Sequence, residues 1–215
     1  MKRETIQLKV GDRASTAILL TPPSPRDLSV ILAHGAGGNM HSDFLSFFQE
    51  HIAAAGYPCL KFNFFYTEAG RKAPDPKPLL LACYEKAMEA VSGRRLVIGG
   101  KSMGGRMASY IADRNRVAGL LFLGYPLHAP GKIDELRDEH LYSIGKPMFF
   151  ASGTKDPFAR FDLLQKTIKR IGRNASTYYV EGGGHSFEVP KKIGDARTIR
   201  QDVAHAIIRW LEQKF

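Results

Sequence analysis

Long apolar runs are missing from this sequence. Its most apolar stretches, such as VAGLLFLGY, are far too short to cross a bilayer, so a membrane partner is not expected. The opening residues, MKRETIQLKVGDR, are basic but carry no apolar core, which argues against a signal peptide. Cysteine is scarce. Cys59 and Cys83 each sit among apolar neighbours without metal-ligand spacing, and read as reduced, packed thiols suited to the cytoplasm. There is no His-x-x-x-His pair and no paired cysteine set, so no metal site stands out and no cofactor is called for. Repeats, linkers and low-complexity segments are absent as well.

Acidic residues are outnumbered. Lys and Arg total 31 against 21 Asp and Glu, a formal net charge of +10. The cations are scattered along the chain, not gathered in a tail or a recognition helix, so a solvated basic surface is expected and a nucleic-acid partner is not. Attraction of anionic substrates is the other consequence that such a surface permits. With 215 residues, 44% hydrophobic and 24% charged, the chain is long enough to bury a sizeable core, and one domain over residues 1–215 is the economical reading.

Apolar runs alternate with amphipathic stretches. Strands are expected at Thr16–Pro23, from Ser29, at Tyr57–Phe65, at Arg95–Gly100, from Val117, from Lys146 and from Ala175. Helices are expected at Asp43–Gly56, after the prolines at 74, 76 and 78, from Met103 to near Asn115, over IDELRDEHLYSIG, over FDLLQKTIKRIG and at the C-terminal end. Asp162 is the better cap candidate for the fifth of these. Strands that are apolar throughout, separated by helices, imply a mostly parallel sheet covered on both faces.

GGKSMGG, residues 99–105, admits two chemistries. It contains Gly-Lys-Ser, the end of a phosphate-binding loop, and also Gly-x-Ser-x-Gly, a turn that mounts a nucleophilic serine. The phosphate loop needs another glycine at position 95, which is Arg95, and the intervening residues read as strand. The serine mount fits: a buried strand, a tight turn, then a helix at once, with Gly100 and Gly104 leaving room for strand and helix to meet.

A serine nucleophile needs a base, and the base needs an orienting acid. Asp156 follows one predicted strand and His185, in GGGHSF, follows the last. Both fall where a parallel sheet exposes its C-terminal edge. HGAGG, residues 34–38, follows an early buried strand, and its glycines allow a turn that aims N–H groups at an oxyanion. The donors are expected to be Met103 and Ala36, or Gly37 beside it. Gly35, Gly37, Lys101, Arg71 and His128 are candidate substrate contacts, the two cations through attraction to anionic substrates. His34 reads as structural, and the aromatic residues of FNFFY as core and pocket wall.

With these residues in view, the chain resembles the α/β-hydrolase superfamily over nearly its full length. LAHGAGGNM, KFNFFYTEAGRKAPD, GGKSMGGRMAS and YPLHAPGK resemble most the capless Tex30/KANL3-like, dienelactone-hydrolase-like group. The resemblance implies an α/β-hydrolase fold with helices on both faces of a mostly parallel sheet. It also implies a Ser-His-Asp triad of Ser102, His185 and Asp156 acting on a small acyl substrate, an ester or thioester. Dienelactone hydrolases usually carry a cysteine nucleophile, and Ser102 counts against that activity. Only Pro126–Lys146 is available for a cap, which predicts an open site. A non-catalytic interaction module on the same fold is the alternative from another class; a peptidase is a third.

Overall fold

The computed structural model describes residues 1–92, 95–192 and 194–215. Among them, eight strands join one sheet in the order β1-β2-β4-β3-β5-β6-β7-β8. These are β1 (Lys2–Val10), β2 (Arg13–Thr21), β3 (Leu28–Ala33), β4 (Cys59–Phe62), β5 (Arg95–Lys101), β6 (Val117–Leu123), β7 (Met148–Gly153) and β8 (Ala175–Val180). β1 and β2 pair antiparallel, and so do β2 and β4; every other pairing is parallel.

Both faces of the sheet are covered, because the central strands are apolar on both sides. On one face Ile31, Leu60, Ile98, Phe122 and Phe150 meet α3 (Lys77–Glu89), α4 (Met103–Ser109) and α5 (Phe161–Ile171). On the other, Val30, Leu32, Val97, Leu121 and Phe149 meet α1 (Asp43–Ala54) and α6 (Ala196–Lys214). Ser42 caps α1 by accepting the Leu45 N–H at 3.3 Å, and Asp195 caps α6 by accepting from Arg197 and Thr198 at 3.0 Å. Such caps are worth about 1 kcal/mol each. The aromatic run is core: Phe62, Phe64, Phe65 and Tyr66 are buried, the last two in the short α2 (Phe65–Glu68).

Three local expectations fail, and one strand was not foreseen. β1 was not anticipated; it is an edge strand whose alternating charged and apolar residues bury Leu8 alone. α4 stops at Ser109 instead of near Asn115, and the chain continues in turns. IDELRDEHLYSIG forms only a 3₁₀ turn at Glu139–Ser143, because it has no continuous apolar stripe to bury. Asp162 does not cap α5; it lies inside the first turn and pairs with Arg160, the N-cap residue. Between β6 and β7 there is no cap domain, in line with the open site expected there.

Candidate active site

The C-terminal ends of β3, β5, β6, β7 and β8 lie side by side and carry the candidate residues. At the end of β5 the chain turns sharply into α4, and Ser102 occupies that turn with φ 50° and ψ −116°. A left-handed φ on a residue with a side chain costs of order 1–3 kcal/mol and persists only where its surroundings enforce it. The enforcing contacts are visible. Ser102 N–H donates to the Leu123 carbonyl at 3.1 Å, and its own carbonyl accepts from Arg106 N–H at 3.1 Å. α4 rests directly on β3: a Cβ at Gly104 would lie 2.6 Å from the Ala33 carbonyl carbon, so no larger residue fits without separating helix from strand.

Asp156 and His185 meet although they stand on different strand ends. His185 Nδ1–H donates to Asp156 Oδ2 at 2.8 Å. The other carboxylate oxygen accepts the Phe158 N–H at 2.8 Å, and Asp156 is buried. Their loops are tied together: Lys155 N–H donates to the Gly183 carbonyl at 2.8 Å, and Gly182 N–H to Thr154 Oγ1 at 2.8 Å. Phe158 lies over the imidazole with ring centroids 4.4 Å apart. With Nδ1 committed to the carboxylate, Nε2 is left as the basic nitrogen. His185 and Ser102 line the same cavity of about 340 Å³, together with Gly35, Ala36, Phe44 and Lys101.

The loop after β3 is organised by His34. This buried ring donates from Nδ1 to the Gly35 carbonyl at 2.8 Å and accepts at Nε2 from Phe64 N–H at 3.1 Å. Burial pushes its pKa down to about 4, so it is neutral at pH 7. The Gly35 carbonyl also accepts from Gly38 N–H at 3.1 Å, closing a turn with Gly37 at φ 69°. Among the described residues, the N–H groups of Ala36 and Met103 take no hydrogen bond, and both residues line a second cavity beside Ser102, also about 340 Å³.

The candidate substrate contacts divide. Gly35 lines the His185 cavity, and Gly37 holds the turn. Lys101 lines that cavity too, but its ammonium donates to the His185 backbone carbonyl, so its charge is turned to the loop. Arg71 lines neither cavity and pairs with the buried Asp75. His128 is buried, with Nδ1 donating to the Ala129 carbonyl at 2.8 Å and Nε2 accepting from Arg160 N–H at 2.9 Å, and it too lines neither. Sequence reasoning did not pick out Phe158, Arg106 or Arg137, all of which line the second cavity. Arg106 had a signal: four residues after Ser102, it falls one turn along the same helix face. Arg137 stands in an irregular loop and had none. Among the described residues no cluster of His, Cys, Asp and Glu is arranged to hold a metal ion, and no helix is long and apolar enough to cross a membrane.

Comparisons with known proteins agree with this architecture. An α/β serine hydrolase homologue from Coxiella burnetii superposes with a TM-score of 0.78 at 16% identity, over 98% of each chain. An α/β serine hydrolase without lid from Xanthomonas campestris gives 0.75 at 16% identity, over 98% of this chain and 95% of that one. A quorum-quenching protein, AidA, of Acinetobacter baumannii strain MDR-ZJ06 is 30% identical over 129 residues; the match takes in 54% of this chain and 41% of that protein's length. Residues 26–212 match the family model described as the alpha/beta hydrolase domain, and the chain therefore belongs to the α/β-hydrolase family.

Proposed function

We propose that the chain is a serine hydrolase that cleaves carboxylic esters or thioesters through an acyl-enzyme. The observation that carries this reading is the 2.8 Å Asp156–His185 hydrogen bond, beside a serine held at φ 50° on the same cavity. Ser102 Oγ attacks the acyl carbon as its proton passes to His185 Nε2. The carbonyl oxygen becomes an oxyanion, and the Ala36 and Met103 N–H groups donate to it. The intermediate collapses, the bond to the leaving oxygen or sulfur breaks, and His185 returns the proton to that atom. Water then repeats the sequence on the acyl-enzyme, releasing the acid and free Ser102. Asp156 holds the imidazole tautomer and stabilises its cation. The two free, buried cysteines suit a reducing, cytoplasmic setting.

Hydrolysis of p-nitrophenyl acetate, butyrate and octanoate tests the reading. Turnover by the wild type is expected, falling by at least about a thousandfold in S102A and H185A. Equal rates in wild type and S102A would remove Ser102 from the mechanism. No turnover of any ester by folded protein would favour the interaction-module reading.

A further inference from the structure

The second cavity differs from the first in charge. The two share Ala36, Ser102 and Phe158 at their junction, but the second is walled by Arg106, Arg137 and Lys77. One carboxylate, Asp75, stands there; its Oδ1 pairs with Arg71, and its Oδ2 is buried without a hydrogen bond. The cations have no such partner among the described residues. The Arg106 Nε is buried without any hydrogen bond. The Arg137 guanidinium makes neither an ion pair nor a hydrogen bond, although its backbone is pinned: its N–H donates to the Leu127 carbonyl at 2.8 Å, and its carbonyl accepts from Tyr125 O–H at 2.7 Å. The nearest buried carboxylate to Arg137 in sequence, Asp138, accepts from the Tyr142 hydroxyl and from Thr167 Oγ1, both at Oδ2, and makes no ion pair with Arg137. Lys77 Nζ rests over the Tyr110 ring, 3.2 Å from its centroid.

The field of these cations is felt by their neighbours. Burial, then Arg106, lowers the pKa of Arg137, against the opposing pull of Tyr110, Tyr125 and Glu135. Burial, then Lys77 and Arg106, pushes His140 down to about 4, so this histidine adds no charge at pH 7. Bringing guanidinium groups together in a partly desolvated wall is costly, and an anion seated between them repays that cost through charge-assisted hydrogen bonds.

The site's asymmetry fixes which half of a substrate this is. His185 must return its proton to the leaving atom, so the leaving group belongs in the cavity that His185 lines. The acyl group then occupies the other one. We infer that this second cavity is the acyl subsite for an acyl group ending in a carboxylate, held by Arg106 and Arg137. The inference rests on the hydrolase reading for its orientation, though not for the anion site itself.

Two arms test it. In the first, kcat/KM is compared at low salt for the mono-p-nitrophenyl ester of adipic acid and for p-nitrophenyl hexanoate, which match in acyl length and differ in the terminal carboxylate. A preference for the adipate ester of roughly ten- to a hundredfold is expected. It should shrink with added salt and fall towards unity in R137Q and R106Q. The ratio is internal to each variant, so partial misfolding lowers both rates and leaves it readable. In the second arm, adipate binding to S102A is measured by calorimetry, with S102A/R137Q as the control; this needs no catalysis. Hydrolysis of both esters without preference, or a preference that both arginine variants keep, would overturn the subsite. If neither ester is cleaved, the hydrolase reading fails. Adipate binding that R137Q abolishes would still support the anion site, and absence of binding would overturn it.

Discussion

Lys101 sits next to Ser102, the proposed nucleophile, yet its ammonium is directed at the loop of His185, the proposed base. Its ammonium donates to the His185 carbonyl and lies 5.4 Å from the centre of the Phe44 ring. The packing there leaves no slack: a Cβ on Gly124, at φ 70°, would stand 2.7 Å from the same carbonyl oxygen. Burial pushes the Lys101 pKa down to about 8, against the opposing pull of Asp156 and Glu188. Below that pH the ammonium makes a charge-assisted bond to the His185 loop; above it the neutral amine makes a weaker one. Under the proposed mechanism Lys101 acts as a positioning residue. K101M is expected to lower kcat by about tenfold with little change in KM. The wild type should lose kcat/KM as pH rises through about 8, and K101M should lack that alkaline limb. A limb of the same size in K101M would assign it to another group.

At the scale of elements, the decisive ones are the turns at the strand ends. The turn after β3 depends on a neutral His34, which bridges the Gly35 carbonyl and the Phe64 N–H. Its pKa falls from 6.5 to about 4 on folding, so between those values the unfolded chain binds a proton that the folded chain refuses. Stability should therefore fall as pH drops from about 6.5 to 4, with about 3 kcal/mol at stake from this group. His140 acts with the same sign, its pKa also lowered to about 4. Denaturant unfolding between pH 4 and 7 checks this: H34Q should show a shallower loss of stability on acidification than the wild type. Parallel curves would mean that His34 does not titrate between the two states.

The turns were also the legible part of the sequence. Ser102 and Asp156 could be picked out because each follows a buried apolar run, and His185 because it stands between the last strand and the closing helix; parallel strands bring such ends to one edge. What the run lengths could not carry was lateral. The Lys101 bond to His185 joins residues on β5 and the loop after β8, and no pattern along the chain encodes it. β1 was missed for a different reason. As an edge strand it buries little, so its alternation is carried by a few apolar residues among charges. The segment IDELRDEHLYSIG reads as a short, exposed helix, but with no apolar stripe to bury, only Glu139–Ser143 coils, as a 3₁₀ turn.

Over the whole molecule, the sheet brings five strand ends together and leaves two cavities meeting at one serine. No cap domain stands between β6 and β7; the segment there supplies Pro126 and Arg137 to the second cavity. The net charge of +10 is spread over the surface, but inside the site it is focused by Arg106, Arg137 and Lys77, which no composition figure distinguishes. The proposed hydrolase activity depends on Ser102 being an activated nucleophile. The most direct measurement is covalent labelling by a fluorophosphonate, read by intact mass and peptide mapping, in the wild type, S102A and H185A. The account predicts one adduct per chain, located on Ser102, absent from S102A and strongly slowed in H185A. Labelling that persists in S102A, or folded wild-type protein that takes no label, would contradict it.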